Sequence, residues 1–102
     1  MGISGVWYNE LGSEMILTTD KNGGLSGTYK SAVGNAEDFY ILAGRYDVSL
    51  PLDSSGDSVG WVVTFRNHLC NAHSTMAWSG QYFDSGAERI LTNWLLTLST
   101  AL

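Results

Sequence analysis

Apolar and polar residues alternate along seven segments of the chain. In residues 58–67, for example, Trp61, Val63 and Phe65 fall on one face, while Val62 and Thr64 fall on the other. A repeat of two is the period of a β-strand, because successive side chains point to opposite sides of a sheet. The pattern predicts seven strands, at residues 6–10, 14–19, 25–31, 39–47, 58–67, 71–83 and 88–100.

The connections between these segments are mostly short enough to be hairpins. Residues 20–24 read Asp-Lys-Asn-Gly-Gly, and Asn-Gly supplies the positive φ angles of a tight turn. We expect an ordered loop at residues 32–38 and a longer polar connection at residues 48–57, which holds the only proline, Pro51. Consecutive strands joined by hairpins lie side by side, so we predict an antiparallel up-and-down meander without helices. Twist would curl this sheet towards a β-barrel, and a sheet that fails to close stays open along its first and last strands.

Composition and charge narrow the class of protein. The chain has 102 residues, enough for one domain, which we expect to span residues 1–102. Only 15% of its residues are charged and 12 are glycine, which favours an all-β domain of short strands. The net charge of −5 argues against a nucleic-acid partner, because phosphate binding needs clustered Lys and Arg.

Targeting and redox signals are sparse. No apolar run approaches the roughly 20 residues that span a membrane, so we expect no membrane partner. The N-terminus lacks a basic region followed by an apolar segment, so we expect no signal peptide in this chain. The single cysteine, Cys70, cannot form an intrachain disulfide. These signals do not identify the cellular compartment of the protein.

Side chains that could contact a ligand are concentrated in residues 5–13, which read Gly-Val-Trp-Tyr-Asn-Glu-Leu-Gly-Ser. If a strand covers residues 6–10, Trp7 and Asn9 share one face. Ser13 returns after a Leu-Gly turn, so Asn9 and Ser13 can point into the same space from adjacent strands. Such a pair can direct hydrogen-bond donors at one ligand atom.

Catalysis and metal binding have weaker support. His68 and His73 have no carboxylate or nucleophile at a spacing that would position them for catalysis. Two histidines and one cysteine without repeated spacing do not predict a metal site. We therefore expect a protein that is not an enzyme and that has no cofactor.

Seven short motifs resemble the avidin and streptavidin family of biotin-binding proteins, in family order and with nearly family spacing. They are residues 5–13, 27–36 (Gly-Thr-Tyr-Lys-Ser-Ala-Val-Gly-Asn-Ala), 44–47 (Gly-Arg-Tyr-Asp), 60–61 (Gly-Trp), 71–74 (Asn-Ala-His-Ser), 78–82 (Trp-Ser-Gly-Gln-Tyr) and 94–97 (Trp-Leu-Leu-Thr). The resemblance implies a streptavidin-like β-barrel of eight strands that holds one small ligand. An open sheet edge invites strand addition from another molecule, so we also expect a homo-oligomer, either a dimer or a tetramer.

The resemblance assigns roles to ten residues. Asn9, Ser13 and Tyr29 would donate hydrogen bonds to the ureido oxygen of biotin. Ser31 would accept from one ureido N–H, while Asn35 and Ser74 would hold the carboxylate. The apolar walls around the bicyclic ring would be Trp61, Trp78, Trp94 and Phe65.

Three features depart from the family pattern. Met76 stands where streptavidin has a threonine that contacts the ligand sulfur. The sequence stops at Leu102, before the family's eighth strand, which carries an aspartate acceptor for the second ureido N–H. The tryptophan that a neighbouring subunit places over the ligand is also absent. We therefore expect an incomplete barrel with reduced biotin affinity. The alternative is an interaction protein of avidin ancestry, which binds another ligand or pairs through its open sheet edge.

Overall fold

The computed structural model describes residues 2–31, 39–48, 56–84 and 86–100, and every regular element in these ranges is a β-strand. The strands are β1 (Gly5–Tyr8), β2 (Glu14–Thr19), β3 (Gly24–Lys30), β4 (Tyr40–Tyr46), β5 (Gly56–Arg66), β6 (Asn71–Phe83) and β7 (Arg89–Leu98). The predicted bounds of β2 and β6 are confirmed, and the other strands differ from prediction by one or two residues at their ends. The predicted loop at residues 32–38 and residues 49–55 of the longer connection lie outside the described ranges.

All seven strands form one antiparallel sheet in the order β1-β2-β3-β4-β5-β6-β7. The predicted meander is therefore confirmed, and the curled sheet forms an incomplete barrel. The β2–β3 turn is stabilised by a glycine with positive φ and by a side chain that accepts two backbone hydrogen bonds. Gly23 has the predicted positive φ, 92°, but Asn22 has a negative φ, so the prediction for Asn22 is wrong. The carboxylate of Asp20 accepts the N–H groups of Asn22 and Gly24, both at 2.8 Å.

The concave face of the sheet carries the core. Register places Leu17, Gly27, Leu42, Val63 and Met76 side by side on neighbouring strands. Leu42 and Val63 are fully buried, whereas β7 exposes much of both faces. Burying one such side chain contributes about 1.5–3 kcal/mol. The core is therefore concentrated under the central strands, and β7 adds little to it.

Side chains connect the two ends of the curled sheet. Among the described residues, no strand pairs with the outer side of β1 or of β7. The ring of Trp7 packs edge-on against Tyr82, with centroids 6.1 Å apart. Glu88 Oε1 accepts both the Tyr82 hydroxyl, at 2.5 Å, and the Gly2 N–H, at 3.1 Å. These contacts hold the N-terminal segment beside the β6–β7 hairpin.

The described ranges contain neither a membrane-spanning helix nor a cluster of metal ligands. No helix there is long and apolar enough to cross a bilayer. No group of three or more His, Cys, Asp or Glu side chains within those ranges could hold a metal ion.

Tyr82 is expected to make stability fall at high pH. Its pKa rises from an ordinary 10.0 to about 12, first because it is buried and then because its hydroxyl donates to Glu88. A pKa raised in the folded state stabilises the fold below pH 10, and this contribution is lost as pH rises from 10 towards 12. Urea unfolding at pH 9 and pH 12 should show a smaller loss in Tyr82→Phe than in the unsubstituted protein. An equal loss in both proteins would contradict this explanation.

Candidate functional site

An open cavity of about 420 Å³ lies on the concave side, between the β1–β2 turn and the exposed strand β7. Its walls come from β1, β2, β3, β5, β6 and β7, together with the β1–β2 turn. The residues that line it are Trp7, Tyr8, Asn9, Glu10, Ser13, Met15, Tyr29, Trp61, Trp78, Ile90, Leu91, Thr92 and Trp94. Six of the ten residues predicted for a ligand site are therefore in its lining.

Asn9 is held by the turn that it helps to form. Its Oδ1 accepts the N–H groups of Leu11, at 2.9 Å, and Ser13, at 3.0 Å. The backbone closes the same turn, since Asn9 N–H donates to the Ser13 carbonyl at 3.1 Å and Gly12 N–H donates to the Asn9 carbonyl at 3.0 Å. Because Oδ1 is committed to the backbone, the group that the Asn9 amide can offer a ligand is its Nδ2 donor.

Ser13 and Tyr29, which both carry hydroxyl groups, line the same cavity. Ser13 precedes β2 and is buried, with 6% of its surface exposed. Tyr29 lies opposite Met15 on the neighbouring strand. Its ring packs against Phe65 and Trp78, with centroids 5.8 and 5.7 Å away. Packing on two sides restricts the rotamers of Tyr29, so the aromatic cluster helps to position its hydroxyl.

Three tryptophans form a row across three adjacent strands. Trp61 lies directly opposite Trp78, and Trp78 lies directly opposite Trp94. The rings of Trp61 and Trp78 stack with centroids 5.7 Å apart and planes 26° apart. Trp61 is 3% exposed, whereas Trp94 is 59% exposed. The apolar wall is therefore packed at its β5 end and open to solvent at its β7 end.

The other predicted residues lie elsewhere. Phe65, Ser31 and Ser74 are described but are not in the cavity lining, and Asn35 lies outside the described residues. Phe65 contacts a cavity residue, since its ring packs against Tyr29 and also against Tyr40, 5.2 Å away. Met76 lies opposite Val63 on β5 and Leu96 on β7, and it is likewise outside the cavity lining.

Seven lining residues were not predicted from sequence: Trp7, Tyr8, Glu10, Met15, Ile90, Leu91 and Thr92. Alternation could have found several of them, because Trp7 lies opposite Met15, and Ile90 and Thr92 share the face of Trp94. Tyr8 and Leu91 have the opposite parity. They reach the cavity because its mouth lies at the open side of the sheet, which no local pattern reveals. Among the described lining residues, Glu10 is the one with a charged side chain.

Gly44 allows strands β4 and β5 to approach closely beneath the tryptophan row. It lies opposite Trp61. A Cβ at position 44 would sit 2.0 Å from the Gly60 carbonyl oxygen and 2.7 Å from the Trp61 Cβ. No side chain fits at these distances, so glycine at position 44 is a requirement for the position of Trp61.

Fold and cavity together define a class of protein. A curled antiparallel sheet with polar donors and stacked indoles on its concave face is typical of small β-barrels that hold one compact ligand. Residues 1–101, which are nearly the whole chain, match the Avidin family. The chain therefore belongs to this family. The family consists of non-enzymatic biotin-binding proteins.

Gly44→Ala is expected to destabilise the fold and displace Trp61. Overpacking of a tight site costs about 1–3 kcal/mol, and here the added methyl would meet backbone that cannot move aside alone. The matched control is Gly60→Ala, whose added Cβ has its nearest contact at 3.1 Å, the Trp78 carbonyl oxygen. Urea unfolding followed by tryptophan fluorescence measures both effects. If Gly44→Ala is as stable as Gly60→Ala, the close approach does not constrain the fold.

Proposed function

We propose that this protein binds biotin and does not transform it. The observation that supports the proposal is that Asn9, Ser13 and Tyr29, which carry an amide and two hydroxyls, line one cavity together with the tryptophan row. A urea carbonyl oxygen accepts several hydrogen bonds. Donors that surround it favour its polarised form, with negative charge on oxygen, as an oxyanion hole does.

The apolar part of the cavity suits a compact bicyclic ligand. Its volume of about 420 Å³ lies in the usual range of small-molecule pockets, roughly 300–1,000 Å³. The indoles of Trp61, Trp78 and Trp94 present large rigid surfaces, which bury area with little loss of side-chain entropy. Family membership supports the same ligand.

Of the remaining predicted residues, three are proposed to contact the ligand and one is proposed to act through a neighbouring side chain. Ser31 is proposed to accept a ureido N–H, and Asn35 and Ser74 are proposed to hold the carboxylate of the ligand. Phe65 is proposed to act through Tyr29, because it packs edge-on against that ring and is not in the cavity lining. We further propose that residues 1–102 form one domain, that its biological role involves neither catalysis nor a cofactor, and that it forms a dimer or tetramer.

Isothermal titration calorimetry with biotin tests the proposal, and Asn9→Asp is the most informative variant. Aspartate keeps an oxygen acceptor for the Leu11 and Ser13 N–H groups, but it replaces the Nδ2 donor with a second acceptor. We expect at least a tenfold loss of affinity with the turn intact, since an unpaired ligand carbonyl facing a carboxylate costs about 1–3 kcal/mol. Ser13→Ala and Tyr29→Phe should each weaken binding as well.

Asn93→Asp is the matched control, because it makes the same change on the opposite face of β7, outside the cavity lining. It should bind biotin as the unsubstituted protein does. No heat from the unsubstituted protein at high concentration would reject the function. Equal affinity in Asn9→Asp and the unsubstituted protein would reject the donor role of Asn9.

A second candidate function is strand pairing with another protein chain. Its support is the exposure of β7, where Trp94 is 59% exposed on the concave face and Leu95 is 77% exposed on the convex face. In the described residues no strand covers the outer side of β7, and exposed N–H and C=O groups on a sheet edge invite strand addition. If this candidate function is correct, the affinity for biotin is low and rises when an added peptide supplies an eighth strand.

Light scattering with edge variants tests the second candidate. The unsubstituted protein should be a dimer or larger, and Leu95→Lys should shift it towards monomer, because a charged side chain opposes edge pairing. Thr18→Lys, on the convex face of β2, is the control and should not change the assembly. A stable monomer at all concentrations, or an eighth-strand peptide without effect on affinity and stability, would exclude this candidate.

A further inference from the structure

The indole of Trp7, which lines the cavity, is held on two sides. Its Nε1–H donates to the Ile3 carbonyl at 2.7 Å. Its ring packs edge-on against Tyr82, with the two ring planes 88° apart. The Ile3 side chain is itself part of the core, with 4% of its surface exposed. The fold therefore fixes how this indole is oriented in the cavity lining.

Glu88 joins the two groups that hold Trp7. Its Oε1 atom accepts the Gly2 N–H at 3.1 Å and the Tyr82 hydroxyl at 2.5 Å. Gly2 precedes Ile3, whose carbonyl accepts from the indole, and Tyr82 carries the ring against which the indole packs. One carboxylate oxygen therefore ties together both supports of Trp7, although Glu88 is exposed and lies outside the cavity lining.

Trp7 belongs to a second row of side chains on the concave face. It lies directly opposite Met15, and Met15 lies directly opposite Tyr29. All three residues line the cavity, as does the tryptophan row of β5, β6 and β7. A ligand that fills the cavity therefore contacts both rows. An indole that the fold has already oriented loses little freedom in that contact, which favours affinity.

We propose that Glu88 is a positioning residue for ligand binding, which acts by holding the Trp7 ring in place as a wall of the cavity. Glu88 does not touch the ligand and acts through the Gly2 N–H and the Tyr82 hydroxyl. This inference rests on the proposed function, and it adds two residues outside the set that the resemblance supplies. The role requires an oxygen acceptor at position 88, and a neutral amide oxygen can also accept two hydrogen bonds.

Calorimetry with biotin measures the effect of Glu88 on affinity. Glu88→Ala removes both hydrogen bonds and substitutes no residue of the cavity lining. Biotin should bind about 3- to 10-fold more weakly to this variant, which is the worth of one well-oriented aromatic contact. Glu88→Gln keeps a side-chain oxygen as acceptor and should restore most of the affinity.

Asp84→Ala is the matched control for the loss of a carboxylate from the β6–β7 hairpin. Asp84 is exposed and lies two residues after Tyr82 in sequence. The Gly2 N–H and the Tyr82 hydroxyl nevertheless donate to Glu88. This variant should bind biotin as the unsubstituted protein does.

Hydrogen exchange of the indole N–H groups, followed by NMR, separates positioning from a general loss of stability. The four tryptophans give four indole signals, and Trp7→Phe identifies the signal of Trp7. In Glu88→Ala the Trp7 indole N–H should exchange faster by a similar factor, because its hydrogen bond to the Ile3 carbonyl opens more often. The buried indole of Trp61 should exchange at an unchanged rate, whereas a general loss of stability would accelerate both.

The outcomes separate the positioning role of Glu88 from the proposed function. If the unsubstituted protein binds biotin and Glu88→Ala binds it equally, the positioning role is rejected while the proposed function stands. The role is also rejected if Glu88→Gln binds as weakly as Glu88→Ala, or if Trp7 exchange in Glu88→Ala is unchanged or rises only as much as that of Trp61. If the unsubstituted protein binds no biotin, both proposals are rejected together.

Discussion

The site depends on one hydrogen-bonding arrangement, in which a single side-chain oxygen folds the β1–β2 turn. Asn9 Oδ1 accepts two backbone N–H groups, and this commitment decides which way the amide faces. A donor held by the fold before any ligand arrives loses little freedom on binding, so more of the interaction appears as affinity. The local structure of the turn thus sets the polarity of this end of the site.

The apolar half of the site follows from register. In an antiparallel sheet, residues directly opposite each other share a face, so Trp61, Trp78 and Trp94 form a continuous row once β5, β6 and β7 pair. Gly44 then permits the close strand approach beneath Trp61. Neither feature involves a long loop or a helix. The apolar half of the site is therefore formed by strand pairing itself. A shift in register would disrupt both the tryptophan row and the close approach at Gly44.

Much of the fold was predictable because period-two alternation is a local property. The strands at residues 14–19 and 71–83 have the predicted bounds, and the meander order follows from short turns. Within the cavity, motif resemblance named six of the lining residues, among them Asn9, Ser13 and Tyr29. It did not find Tyr8, Glu10 and Leu91, since these line the cavity only because the sheet curls and remains open beside them. Curvature is a sum of many small twists, and no short stretch of sequence encodes it.

The open side also relates ligand binding to the stability of β7. Trp61 is almost fully buried without ligand, so its contribution to the wall is preformed, whereas Trp94 is mostly exposed on a strand with few core contacts. A ligand packed against Trp94 would bury apolar surface that folding alone leaves in water. Binding would therefore stabilise β7, and part of the binding free energy would be used to order it. Because the Asn9 turn and the buried Trp61 are already fixed by the fold, β7 is the part of the site that a ligand would still have to order.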